Sequence, residues 1–315
     1  MASLAYIQVT RKCNQECRFC SNPPNRRTLS LSQGKNLIDM YIKKGFDGII
    51  FTGGEPTLSP CLPELIRYAT FRNIAHRMIT NGQKIADLDY LVSLKNAGLY
   101  HLHLSMYSCK EEVQVFLTKN KESWKNVVKA LNNLGRIGGI SVDLNITINH
   151  YNADHLLENV KWVVKNFPFV RHFVWNNLDP VMSRAKKNLD TVPKFNEFEL
   201  SLQESMKFLN ENGKTFRTER IPLCYLPDNE DTLNETRKIV KKEKRMTFFL
   251  DNRGLLSEQN WLRKWGYGKG DACKKCSLTS ICPGLYQMNK TYSENELYPV
   301  FVDKQAIIKR IVNGR

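Results

Sequence analysis

Three cysteines, at residues 13, 17 and 20, follow directly on the apolar stretch LAYIQV at residues 4–9. That stretch reads as a β-strand, so the thiols sit on the loop leaving its C-terminal end. Spacings of four and three let all three converge on one side of such a loop. Three thiolates are one short of closing a cubane iron–sulfur cluster, and one short of a closed structural zinc site. No further cysteine or histidine lies nearby in sequence. The pattern therefore leaves one iron open to an external ligand, unless a distant residue completes a zinc site.

The remaining cysteines are uneven: Cys224, then Cys273, Cys276 and Cys282, with Cys61 and Cys109 alone. Nine is an odd count, and the N-terminus lacks the basic region, apolar core and small-residue cleavage site of a secretion signal. A disulfide framework is not indicated, and clustered thiols in a reducing compartment point to metal. The expected location is cytoplasmic. No run approaches the roughly 20 apolar residues of a membrane span. The net charge of +16 attracts nucleic acid, acidic peptides or phosphorylated metabolites. The densest basic run, Arg237, Lys238, Lys241, Lys242, Lys244 and Arg245, carries no interleaved aromatics, which argues against nucleic acid.

Along the chain, short apolar strands alternate with helical patterns. Strands are expected at 4–9, 48–52, 75–80, 100–106, 140–148 and 170–176. Helices are expected between them, the last near 194–212. Ser30 with Gln33 reads as a capping box, and Gly45 as the stop of that helix. Connections this long imply parallel, right-handed crossovers. Six units fall two short of a closed eightfold barrel. The expected fold is α/β, a partial (β/α)6 TIM barrel over residues 1–213, with a smaller, loop-rich unit over 214–315. A strand–turn–strand is expected across Met246–Leu256.

Thr52-Gly53-Gly54-Glu55-Pro56 ends the second strand, and Thr80-Asn81-Gly82 the third. Glycines let backbone approach a neighbour closely, and a carboxylate meets an ammonium with a charge-assisted bond. Together with Cys13-x3-Cys17-x2-Cys20, the chain over residues 4–180 resembles the radical S-adenosylmethionine (SAM) superfamily. That resemblance implies a [4Fe–4S] cluster on Cys13, Cys17 and Cys20, with SAM on the open iron. It implies reductive cleavage of SAM to a 5′-deoxyadenosyl radical that abstracts a substrate hydrogen. It further implies cofactor-binding roles for Phe19 near the adenine, and for Gly53, Gly54, Glu55 and Pro56 at the methionine amino group. Asn81, Ser105, Lys119 and Asn145 match further SAM-side positions, with Lys119 or Lys121 as a cation for the carboxylate. An electron donor such as flavodoxin or ferredoxin follows from the same resemblance.

Cys273-x2-Cys276-x5-Cys282, with Cys224 upstream, offers four thiolates. They would close either a zinc site or a fully ligated [4Fe–4S] cluster. The arrangement is similar to the auxiliary-cluster domains of SPASM and twitch radical SAM enzymes, with cysteines for one cluster only. Many such relatives modify peptides, so a peptide substrate is expected, with cofactor or small-metabolite synthesis as the alternative; a non-catalytic metal-binding protein of nucleic acid is a third reading, one that would have no need for an open-iron triad together with Gly53-Gly54-Glu55-Pro56. The first strand begins almost at once, so no leader-binding domain is expected ahead of it. The loop after the sixth strand should overhang the pocket, bringing Trp175, Asn176, Asp179 and Arg184 towards a substrate. His101 and His103 share one face of the fourth strand, either lining the barrel or packed in the core.

Overall fold

The computed structural model describes residues 3–22, 25–243, 245–250, 256–258 and 266–314. The six expected strands are β1 (Leu4–Thr10), β2 (Gly48–Gly53), β3 (Ala75–Thr80), β4 (His101–Ser105), β5 (Ser141–Ile148) and β6 (His172–Asn177). All pair in parallel with their sequence neighbours. The helices between them are α1 (Leu31–Lys43), α2 (Leu62–Phe71), α3 (Leu88–Asn96), α4 (Glu111–Thr118), α5 (Ser123–Ile137) and α6 (Leu156–Asn166). After β6 come α7 (Ser183–Lys187) and α8 (Phe195–Glu211).

The partial barrel is wider than six units. β7 (Thr215–Glu219) adds in parallel to β6, and β8 (Arg245–Phe248) adds in parallel to β1 at the other edge. β9 (Leu256–Glu258) then pairs antiparallel with β8, forming the expected strand pair; residues 251–255 of its turn lie outside the described residues. The order is β7-β6-β5-β4-β3-β2-β1-β8-β9, so the sheet continues past residue 213. TFRTE and RMTF carry little apolar signal, which hid both strands from the sequence pattern.

Local chemistry explains the elements. Ser30 Oγ accepts from Gln33 N at 3.2 Å while Ser30 N donates to Gln33 Oε1 at 3.0 Å, closing the capping box of α1. Gly45, at φ +72°, ends that helix in a conformation that favours glycine. Within the strands, alternation separates two faces. Leu102 and Leu104 of β4, Val142, Leu144 and Ile146 of β5, and Phe173 and Trp175 of β6 are buried against the helix layer. Their neighbours His101, His103, Asp143, Asn145, His172 and Asn176 line the inside of the curl. The apolar core thus lies between sheet and helices, and the lumen is polar.

After β7, α9 (Asn234–Lys241) runs beside it, and α10 (Lys304–Asn313) packs on α9. Arg310 bridges Asp231 at 3.1 Å and Glu230 at 3.0 Å. Two short strands, β10 (Tyr267–Gly268) and β11 (Leu285–Tyr286), pair antiparallel. This C-terminal region docks at the exit of β6: Tyr292 Oη contacts Asn177 Oδ1 at 3.2 Å, and Tyr286 Oη contacts Asp179 Oδ1 at 3.0 Å.

Candidate active site

The loops leaving β1 and β2 lock together at the C-terminal ends of the strands. Gly54 N donates to Thr10 O at 2.7 Å, and Glu55 N to Lys12 O at 2.8 Å. A Cβ on Gly53 would stand 2.0 Å from Thr10 O, and one on Gly54 2.3 Å from Lys12 O. Both glycines are therefore required by the passage of the cysteine loop itself. Asn22 Nδ2 closes the other side, donating to Gly53 O at 2.7 Å.

Glu55 is buried and ties β2 to β3. Its Oε1 accepts from Thr57 Oγ1 and Thr80 Oγ1, both at 2.7 Å, and from Thr57 N at 3.2 Å. Its Oε2 accepts from Asn81 N at 2.7 Å. Burial nevertheless pushes its carboxyl above the usual range. With one oxygen saturated, only Oε2 retains capacity for an ammonium. Asn81 in turn reaches Asn14 Oδ1 at 2.8 Å and Cys13 Sγ at 3.8 Å.

Cys13, Cys17 and Cys20 line one cavity of about 220 Å³, over the ends of β2 to β5. Burial pushes the Cys13 thiol up to about 11 and the Cys17 thiol further still. Among the described residues, no fourth cysteine or histidine lines this cavity. The donor set fits a cluster with an open iron, held by these three thiolates.

Of the residues expected here, Phe19, Gly53, Gly54, Glu55, Asn81 and Ser105 line the cavity. Pro56 is buried behind it as the first residue of a 3-10 turn. Lys119 is exposed, in the left-handed conformation that ends α4, and is not among the lining residues. Arg184 and Arg220 are the cations there instead, with Arg184 Nε donating to Cys17 O at 2.9 Å. Asn145 lies lower, in the lumen, 2.6 Å from Asn176 Nδ2. Asp179 and Asn176 line the cavities. Trp175 does not, because strand alternation turns it outward against Phe216, ring centroids 5.6 Å apart. Sequence reasoning missed Gln15, Tyr107, Thr147 and Arg220. Tyr107 packs edge-on against Phe19 at 4.7 Å; its place two residues past Ser105 was the available signal. Arg220 offered none, since β7 was not recognised.

Beneath this cavity, and sharing Ile79 and Arg220 with it, the lumen holds about 750 Å³. His101 and His103 both face it. So do Lys238 and Arg245, which turns part of the basic run inward. Burial holds His103 and His172 down at about 4, so both are neutral at physiological pH.

In the C-terminal region, Cys224 is buried, and Gly284 N approaches Cys282 Sγ at 3.4 Å and Val300 N approaches Cys276 Sγ at 3.5 Å. Burial raises the Cys224 thiol to about 12, with Cys282 and Cys273 close enough to add to the shift. Cys276 in turn adds to the upward shift of Cys273, so the four are gathered in one region. Cys61 and Cys109 line none of the cavities described.

Residues 7–163 match the family described as the Radical SAM superfamily. The chain is 34% identical over 149 residues to Fe-coproporphyrin III synthase of Methanosarcina barkeri, covering 46% of this chain and 37% of that protein. It is 33% identical over 143 residues to GTP 3′,8-cyclase of Chlorobaculum tepidum, covering 44% of this chain and 43% of that one. It thus spans less than half the length of either relative. In fold it is similar to SuiB of Streptococcus suis, solved bound to S-adenosylmethionine, with a TM-score of 0.69 at 14% identity over 95% of this chain and 76% of that one. With three thiols on the β1 exit, the interlocked glycine turn and this match, the chain belongs to the radical SAM superfamily.

Proposed function

We propose that the chain binds a [4Fe–4S] cluster on Cys13, Cys17 and Cys20, and acts on a small anionic substrate held in the lumen. When bound, cluster and SAM supply a 5′-deoxyadenosyl radical that abstracts a hydrogen from that substrate. The observation that carries the substrate class is the run of cations directly below the thiol cavity. Arg77, Arg217, Arg220, Arg245 and Lys238 outnumber Asp143, Glu219 and Glu243 around the same lumen. Guanidinium groups in a partly enclosed site favour phosphate or carboxylate. Two relatives are named for small molecules, Fe-coproporphyrin III and GTP.

A peptide is the second reading. It is favoured by the exposed apolar side chains Val181, Met182 and Leu189, on the segment that follows Asp179 at the cavity rim. In either case, Cys224, Cys273, Cys276 and Cys282, all beyond β7, hold an auxiliary [4Fe–4S] cluster in a SPASM/twitch-like region. Flavodoxin or ferredoxin serves as reductant in a cytoplasmic setting. Arg184 and the Glu55–Asn81 pair orient SAM over the thiols.

The test is anaerobic reconstitution, reduction with dithionite and quantification of 5′-deoxyadenosine with SAM. Phosphorylated metabolites should raise the yield, and Arg217→Ala should remove that stimulation while leaving substrate-free cleavage intact. Stimulation by peptides alone would decide for the second reading. Absence of SAM cleavage from protein with full iron content, under every substrate tried, would overturn both.

A further inference from the structure

The structure assigns a second metal site to the lumen: we propose that His101, His103 and Asp143 bind one divalent transition-metal ion, of the zinc class, below the SAM cavity. The site shares no residue with the three thiols and does not depend on which substrate the enzyme takes.

Three strand positions create it. His101 and His103 alternate with Leu102 and Leu104 on β4, so both imidazoles turn inward. Asp143 of β5 is the register partner of His103. The two imidazole rings stack nearly parallel, 10° apart, with centroids at 5.3 Å. Both present a nitrogen to the same carboxylate oxygen: His101 Nε2 lies 2.9 Å and His103 Nδ1 3.5 Å from Asp143 Oδ2. Among the described residues, these are the three whose metal-ligating atoms all fall within 4.8 Å of one another.

The spacing fits an ion. Nitrogen and oxygen ligands about 2.0–2.1 Å from a tetrahedral zinc stand about 3.4 Å apart, and 2.9 and 3.5 Å bracket that value. The donor set fits as well. Two imidazoles and one carboxylate are borderline ligands that suit zinc and its neighbours, and three protein ligands leave a position open to the cavity. The site is nearly dry: the side chains are 17%, 16% and 7% exposed. His103 Nε2 finds no hydrogen-bond partner, although buried ring nitrogens ordinarily have one. An ion held through His103 Nδ1 would leave this Nε2, on the other side of the ring, to water in the lumen.

The supporting groups are already fixed. Strand positions hold ligands more rigidly than loops do. His172 of β6 stands opposite Asp143 in register, its Nδ1 held by Thr215 Oγ1 at 2.7 Å. Arg77 and Arg217 line the same cavity. An anionic group entering the lumen would meet the open metal position and a guanidinium together.

The experiment uses the reconstituted full chain with its clusters in place. It is equilibrated anaerobically with Zn²⁺, dialysed, and its zinc and iron are counted by mass spectrometry. X-ray absorption at the zinc edge then reads the ligands. We expect one zinc per chain, with a shell of nitrogen and oxygen near about 2.0 Å and no sulfur at about 2.3 Å. His103→Gln and Asp143→Asn should each weaken zinc binding at least tenfold with iron per chain unchanged. A sulfur shell would assign the zinc to the cysteines and overturn the proposal. So would wild-type zinc retention in both variants, or no retained zinc in protein with full iron. Should the variants fold poorly, the ligand shell of the unmodified protein decides alone.

Discussion

Glu219 closes β7 and Arg245 opens β8, and their side chains lie 3.6 Å apart, although the two strands stand at opposite ends of the eight parallel strands. The sheet therefore curls until its edges meet through an ion pair where no hydrogen-bond ladder joins them. Asn234 Nδ2 donates to Glu219 Oε1 at 2.7 Å, and Arg220 Nη1 lies 3.8 Å from Glu219 Oε2. Arg245 also stacks over the Tyr6 ring at 3.8 Å.

Glu219→Gln should strip the balancing charge from a largely buried cation cluster. Such a loss costs about 3 kcal/mol, or a fall of about 5–10 °C in the first thermal transition. Burial pushes the Glu219 carboxyl up, but Arg245, Lys238 and Arg220 outweigh it and hold it at about 2. A folded value below the unfolded 4.5 makes this stabilisation complete above that pH and lost as pH falls towards 2. Melting curves of wild type and variant should stay equally separated from pH 8 to 5, then converge below about 4.5. A separation that ignores pH would exclude the carboxylate as its source.

Gly54→Ala should abolish assembly of the N-terminal cluster while sparing the outer helices. The added Cβ would collide with Lys12 O at 2.3 Å and Arg11 O at 2.6 Å, and backbone cannot yield as a flexible side chain can. Reconstituted iron should drop by about four per chain, the content of one cubane. Wild-type iron content in this variant would show that the two loops part easily.

Lys119→Ala should leave SAM affinity within about twofold of wild type, because Lys119 is exposed at the end of α4. Arg184→Ala should weaken it at least tenfold, about 1.4 kcal/mol or more, since Arg184 lines the thiol cavity and holds Cys17 O. Equilibrium binding of SAM to reconstituted protein compares the two. The reverse order would return the carboxylate-binding role to Lys119.

Cys282→Ser should reduce iron from about eight to about four per chain and leave substrate-free 5′-deoxyadenosine formation in place. Zinc in the unmodified protein, bound by sulfur and lost with this substitution, would identify the C-terminal site as structural zinc.

Much of the site was legible because its residues are close in sequence. Cys13, Cys17 and Cys20 share one loop, and Gly53, Gly54 and Glu55 share one turn, so spacing alone delivers them together. The capping box of Ser30 and Gln33 and the six apolar strands are local signals of the same kind. Lys119 illustrates the opposite case. Its place after β4 matched a pattern, but helix α4 ends in a left-handed residue that carries the side chain into solvent.

What the chain's order of residues determined by itself is which groups leave the C-terminal ends of β1 to β4, since strand and loop follow from periodicity and spacing. Register and curl decided the rest. Asp143 meets His103 because β4 and β5 pair in one register, and a slip of one residue would turn the side chains of the slipped strand to the other face. Glu219 meets Arg245 because eight twisted strands bend far enough to bring their edges together, a property of the whole sheet that no local pattern encodes.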